Sequence, residues 1–210
     1  MLHATAAGPV VHGRTEPVAE LAEVIEHFWG VKWDLRGREP LTAQTLPHPS
    51  VHVVIEGARH EVTGVATRRF SRTLEGQGQV FGIKFRPAMV HAVLGAPVST
   101  LANRVVKIGE IFGRAGVRFG KAIEASADPI PLAEAFFLEH RGEVEPLART
   151  LRDLVERAAV DRQWVKVEQL ASASGFSVRM LQRYFREYVG VGPKWVLQRY
   201  RLHAPARKVT

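Results

Sequence analysis

Between positions 28 and 94, apolar and polar residues alternate in short runs that are typical of β-strands. Ser50–Glu56 reads SVHVVIE, in which every second residue is apolar, so one side chain face would be buried. The four residues Glu56–Arg59 (EGAR) fit a hairpin loop, and His60–Val65 would be the return strand. Gln79–Phe85 has a similar alternation. Several short strands at this spacing predict a small barrel or a sandwich.

After Pro97 the pattern becomes helical. Leu132–His140 and Pro146–Ala159 both have apolar residues at helical spacing, and proline suits the first turn of the second helix. Gly142 and Pro146 place a domain boundary near 142–146. The fold class predicted is therefore α+β, with a β-rich N-terminal domain and an all-α C-terminal part.

Residues 167–188 predict two short helices joined by a turn. Gly175 supplies the conformation that ends the first helix, and Ser177 is a suitable N-cap for the second. The second helix has an apolar face and a polar face, each with i, i+3, i+4, i+7 spacing. The apolar face consists of Leu181, Tyr184, Phe185 and Tyr188, and the polar face of Arg179, Gln182, Arg183 and Arg186.

The charge of the chain is concentrated at its C-terminal end. The 210 residues include 29 Lys and Arg against 21 Asp and Glu, a formal net charge of +8. Residues 162–210 contain ten basic residues and two acidic ones, which accounts for the whole excess. Such a basic segment indicates a polyanionic partner, or alternatively a solvated face that aids solubility.

Composition excludes several functional classes. The chain has no cysteine, which excludes disulfides, thiolate nucleophiles and cysteine-ligated metals. Its N-terminus lacks the features of a secretory signal, and no apolar run approaches the ~18–20 residues that span a bilayer. We therefore expect a cytoplasmic protein without a membrane partner.

The segment VEQLASASGFSVRMLQRYFREYVGVGPKWVLQRYRL resembles the first helix–turn–helix of AraC/XylS-type transcription regulators. The matching features are LA…GFS, then S-x-x-x-LQR-x-F, then VG-x-x-PK-x-V…R-x-RL. Three N-terminal runs are similar to an uncharacterised domain that precedes this module in many bacterial members. They are HFWGVKWDLRG, LPHPSVHVVIEG and VFGIKFRP.

The resemblance implies a domain order and a function. Residues 1–125 would form a cupin-like sensor or dimerisation domain, 126–145 a helical connector, and 146–210 a DNA-binding module. The partner would be double-stranded DNA, with a small-molecule effector in the N-terminal domain and a homodimer as further expectations. The protein would regulate transcription by binding, without catalysis and without a cofactor.

Specific roles follow for residues of the second helix and beyond. In the regulators that the chain resembles, the positions matching Arg179, Gln182 and Arg183 reach base edges. Arginine can form paired hydrogen bonds to guanine, and glutamine to adenine. Contacts to phosphates are expected from Ser177, Arg186, Lys194 and Arg199.

The resemblance is incomplete at the C-terminus. The family module has two helix–turn–helix units joined by a long helix, whereas Pro205 interrupts that helix here and the sequence ends at Thr210. We therefore expect a chain truncated after its first unit, with weakened operator binding.

Other functions stay open at the level of sequence. One is a small-molecule-binding or enzymatic cupin-like protein with a vestigial DNA-binding module, and another is a dimerising inhibitor of full-length relatives.

His48, His52 and Glu56 are spaced four apart, which in a strand separates neighbouring members of the set by about 13 Å. We therefore expect no metal site there, and no catalytic set of residues is recognisable.

Overall fold

The computed structural model describes residues 3–5, 8–161 and 163–202, and in this part of the chain the fold is α+β. Seven antiparallel strands form the main sheet in the order β1-β2-β3-β8-β5-β6-β9, and β4 and β7 form a separate two-stranded ribbon. The strands are β1 (His3–Thr5), β2 (Val10–Thr15), β3 (Ile25–Asp34), β4 (Leu41–Thr45), β5 (His52–Glu56), β6 (Arg59–Thr63), β7 (Phe70–Leu74), β8 (Gln77–Phe85) and β9 (Val105–Lys107).

The predicted hairpin is confirmed as β5 and β6. Glu56 pairs with Arg59 across a two-residue turn in which Gly57 has a φ of 50°. Val53 and Ile55 are buried on one face of β5, as their period-two spacing predicts. The long strand β8 pairs with β3 on one side and β5 on the other, so it lies at the centre of the sheet.

The ribbon of β4 and β7 lies apart from the main sheet. Leu74 at the end of β7 packs with Trp33 and Leu35 in a small apolar cluster, and the Trp33 indole donates a hydrogen bond to the carbonyl of Glu75 at 3.1 Å. The main sheet ends at β1 on one side and β9 on the other. The closed barrel expected from the sequence is therefore not shown by the pairing of the described strands.

Seven α-helices follow or interrupt the strands in the described part of the chain. None of them is long and apolar enough to span a membrane. A 3₁₀ turn (Val98–Leu101) follows the first helix, and a π-helical turn (Phe185–Val189) continues the sixth. The helices are α1 (His91–Leu94), α2 (Ile108–Ala125), α3 (Pro129–His140), α4 (Pro146–Val160), α5 (Val167–Ser174), α6 (Val178–Tyr184) and α7 (Pro193–Leu202).

Helix α2 lies in the region after Pro97 where the pattern becomes helical, although no individual helix is predicted there. Its 18 residues include four glycines, and the backbone is non-helical at Gly113, where φ is 56°. Gly120 lets the helix approach the sheet closely, since a Cβ there would lie 2.5 Å from the ring of His60 on β6. Glycine weakens a helix by itself, so contact with the sheet stabilises this one.

One apolar core joins the sheet to the C-terminal helices. Phe28 and Phe85 from the sheet, Phe137 from α3, and Phe185 after α6 are all almost fully buried and belong to one contiguous cluster. The rings of Phe85 and Phe137 meet edge to face with centroids 5.3 Å apart. Burial of this cluster ties the orientation of the helices to the sheet.

Helix α7 also contacts the strand-rich part through polar groups. The Tyr200 hydroxyl lies 3.4 Å from Nε2 of His48, and the rings of these two residues are 5.9 Å apart and nearly perpendicular. The Arg199 Nε donates to the carbonyl oxygen of Pro47. These contacts hold α7 against the chain between β4 and β5.

Two histidines near this contact are held neutral by burial. Burial, with the positive charge of Lys84 adding to it, lowers the pKa of His48 to about 4 and that of His52 to about 3. The Glu26 carboxylate near them stays ionised, because hydrogen bonds from His27 and Lys84 outweigh its burial and lower its pKa to about 2.

The first prediction concerns the shared core. Phe185→Ala should lower the free energy of unfolding by about 3–5 kcal/mol, because it removes a fully buried ring from the cluster. Arg186→Ala, at the next and exposed position, should change it by no more than about 0.5 kcal/mol. Chemical denaturation of both variants measures the difference, and equal stabilities would contradict the assigned packing.

The second prediction concerns pH. The folded pKa values of His48 and His52 lie below the ordinary value near 6.5, so the unfolded chain binds more protons as pH falls from 6.5 to about 4. The melting temperature should therefore fall over this range. The double variant His48→Asn, His52→Gln should show a flatter pH dependence. His12→Gln, at an exposed position, is the control for the loss of a histidine, and an unchanged slope in the double variant would contradict the prediction.

Candidate nucleic-acid interface

The candidate interface is built on α5, the turn after it, and α6. Helix α5 ends at Gly175, whose φ of 71° is readily adopted by glycine alone. The Ser177 Oγ accepts a hydrogen bond from the backbone N–H of Met180 at 3.3 Å, which caps the start of α6. The sequence prediction of two short helices with these two terminal residues is therefore confirmed.

The inner face of α6 anchors the helix in the core. Leu181, Phe185 and Tyr188 are buried, and Leu170 and Ala171 of α5 are buried in the same cluster. Tyr184 is half-buried and packs edge to face on Phe176, with ring centroids 5.2 Å apart. The four predicted apolar side chains thus point into the protein, and three of them are buried.

The outer face of α6 and of the π-helical turn that continues it is polar and exposed. Three of its side chains are the predicted base-contacting residues, and the fourth is Arg186. None of the three arginines forms an ion pair with a carboxylate of the described residues, and the Arg183 guanidinium lies over the Tyr184 ring at 5.1 Å. The exposed set consists of Arg179, Gln182, Arg183 and Arg186.

The segment that carries this face contains few acidic residues. Residues 163–201 include seven Lys and Arg but only two acids, Glu168 and Glu187. Glu187 faces His91 of α1, at 3.6 Å between carboxylate and ring nitrogen, rather than an arginine of α6. The outer face therefore presents an uncompensated positive charge to the solvent.

Lys194 and Arg199 have different surroundings. Lys194, in the first turn of α7, is exposed. Arg199 is half-buried, burial lowers the pKa of its guanidinium, and its Nε bonds to Pro47. The structure therefore brings Arg199 to the contact between α7 and the strand-rich part, a position that the sequence did not indicate.

A polar junction sets the far end of the second helix. The Tyr188 hydroxyl donates to the Glu145 carboxylate at 2.6 Å, and burial together with that bond raises the pKa of Tyr188 to about 12. The His91 ring lies against the Tyr188 ring, with centroids 4.2 Å apart, and 3.5 Å from Glu145. This junction links α1, the start of α4 and the π-helical turn.

Sequence reasoning missed one exposed residue at the interface. The side chain of Met180 is 39% exposed, next to Arg179 in the first turn of α6. Its position relative to the two faces could have been read from a helical wheel. An exposed apolar side chain on such a helix can contact a thymine methyl group.

His48, His52 and Glu56 each make separate contacts in the strand-rich part. Nδ1 of His48 lies 2.8 Å from the Ser50 hydroxyl, and His52 packs edge to face against Trp29. Glu56 instead pairs with Arg72 of β7 and, at 3.0 Å, with Arg59. Within the ranges that the structure describes, no group of three potential metal ligands comes together.

Comparison with known proteins gives one match. Residues 13–107, from β2 to the end of β9, match a domain of unknown function, DUF6597. No curated protein and no solved structure matches the chain. The match therefore covers most of the strand-rich part and none of α2–α7.

The third prediction concerns the cap of α6. Ser177→Ala should lower the free energy of unfolding by about 1 kcal/mol, because the N–H of Met180 loses its acceptor. Ser177→Asp retains an acceptor oxygen and should stay close to the original stability. Thermal unfolding followed by circular dichroism tests both variants, and equal melting temperatures for alanine and aspartate would show that the cap contributes nothing.

Proposed function

We propose that the protein is an AraC-type transcription regulator of bacteria that binds double-stranded DNA through α5 and α6 acting as a helix–turn–helix. The observation that carries this proposal is the two-sided character of α6. Its inner face is buried in the core, while its outer face exposes Arg179, Gln182 and Arg183 without a carboxylate partner among the described residues. A fixed helix with such an outer face suits the major groove.

In this proposal, base edges are read by the three residues nearest the start of the outer face. The guanidinium groups of Arg179 and Arg183 would each donate two hydrogen bonds to a guanine, and the Gln182 amide would bond to an adenine. The caps at Gly175 and Ser177 hold the helix that carries them. The function is binding, with no reaction catalysed.

Contacts to phosphates would position the helix on the duplex. Arg186 and Lys194 are exposed cations, and Ser177 exposes its hydroxyl beside the first backbone N–H groups of α6. Such groups contribute affinity through counterion release but read no sequence. A phosphate contact of Arg199 stays a prediction, and its Nε bonds to the Pro47 carbonyl in the structure.

The remaining parts would serve regulation. We propose residues 1–125 as a sensor or dimerisation domain, 126–145 as a connector and 146–210 as the part that binds DNA, of which residues 162 and 203–210 lie outside the described part. The shared core and the junction of Tyr188 with Glu145 and His91 support a regulatory role for the first domain. A change there would alter the orientation of α6.

The fourth prediction tests base reading. A preferred duplex is first selected from a randomised pool with the full chain, and binding is then measured by fluorescence anisotropy on that duplex and on random DNA. Arg183→Ala should cost about 1–3 kcal/mol on the selected duplex and less on random DNA. Lys194→Ala should weaken binding to both equally and lower the slope of log K against log salt by about 1.

Arg14→Ala is the matched control for charge. Arg14 is exposed on β2, so this variant removes one positive charge far from α6 in the sequence and should leave both affinities almost unchanged. If the chain selects no duplex over random DNA, the proposed function is wrong. If Arg183→Ala weakens both duplexes equally, Arg183 contacts phosphate and not a base.

A further inference from the structure

Strand β4 is an edge strand with an unusual combination of properties. It pairs only with β7 among the described strands, so its other edge has backbone N–H and C=O groups without a strand partner. All five of its side chains are exposed. Its sequence, LTAQT, contains no charge and no proline, the residues by which proteins usually protect an exposed edge.

Large apolar side chains are exposed around the same strand. Leu41 begins β4 and is 46% exposed, Leu46 follows it and is 43% exposed, and Phe70, paired with Thr45, is 55% exposed. Edge β9 also exposes an apolar side chain, Val105, but this strand has only three residues, ends in Lys107 and is contacted by α2. Three exposed large apolar side chains thus lie within or beside the ribbon.

We propose that β4 pairs with β4 of a second copy of this chain, in antiparallel orientation about a two-fold axis at Ala43. This pairing places Ala43 opposite Ala43, Thr42 opposite Gln44, and Leu41 opposite Thr45. Every opposed pair is neutral, so no like charges meet, and the identical strand satisfies the free backbone groups.

The charge of the ribbon favours this edge over its alternative. Strand β7 contains Arg72 and is preceded by Arg68 and Arg69, so pairing of β7 with itself would bring positive charges together. Arg72 is also engaged with Glu56 of the main sheet. The uncharged strand β4 is therefore the edge that suits a second copy.

This inference rests on the proposed function only for the role that the dimer would have. A dimer would bring two copies of the proposed helix–turn–helix to one duplex at a high effective concentration. The pairing itself does not depend on DNA. It is therefore tested without DNA, so that its failure and the failure of DNA binding are distinguishable.

The natural chain has no cysteine, so one introduced thiol reports on one position. Directly opposed residues of antiparallel strands have Cα atoms about 4.5–5.5 Å apart, within the range of a disulfide. Under mild oxidation Ala43→Cys should form a disulfide-linked dimer rapidly. Thr42→Cys mixed with Gln44→Cys should cross-link mainly to each other, because that register opposes these positions.

Val160→Cys is the control for random collision, since Val160 is 79% exposed at the end of α4. Light scattering over a range of concentrations should show dimers of the natural chain, and Ala43→Glu should abolish them by placing two carboxylates opposite each other. Circular dichroism checks that this variant is folded, and Ala43→Lys gives a second test with the opposite charge. A monomer at all concentrations, or equal cross-linking at 43 and 160, would overturn the proposal.

Discussion

The burial of one apolar cluster shared by the sheet and the helices is the constraint on which the rest of the structure depends. Helix α6 has only seven residues and α5 only eight, too few to be stable alone in water. They persist because Leu170, Leu181 and Phe185 are completely buried in the cluster that also contains Ile83 and Phe85 of β8. The direction in which the arginines of α6 point is therefore a property of the whole core.

Polar contacts add directional information that apolar packing alone does not supply. Tyr188 bonds to Glu145 beside the His91 ring, and Tyr200 approaches His48. Hydrogen bonds of this kind require one distance and one angle, whereas apolar side chains tolerate several arrangements of similar energy. Together the two contacts fix both ends of the segment from the π-helical turn to α7, the first against Glu145 at the start of α4 and the second against His48 between β4 and β5.

Local patterns in the sequence predicted the elements whose causes are local. The β5–β6 hairpin, α3, α4, the turn at Gly175 and the two faces of α6 follow from periodicity and terminal residues. Helix α2 was not predicted individually, because its four glycines disfavour a helix and its contacts with α3 and with β5, β6 and β9 compensate for them. Local patterns also could not predict the contact of Arg199 with Pro47, because the two residues are 152 positions apart in the sequence. The separation of β4 and β7 from the main sheet likewise depends on long-range pairing.

The π-helical turn at Phe185–Val189 has a consequence for insertions and deletions. A π-turn accommodates one residue more than the corresponding α-helical turn, and each residue in an α-helix corresponds to a rotation of about 100°. Deleting one residue here would restore regular helix, but would rotate Tyr188 away from Glu145 and α7 away from His48. The extra residue thus determines the rotation of α7 relative to α6. In relatives of this chain, an insertion or deletion in this turn would indicate that α6 and α7 are oriented differently relative to each other.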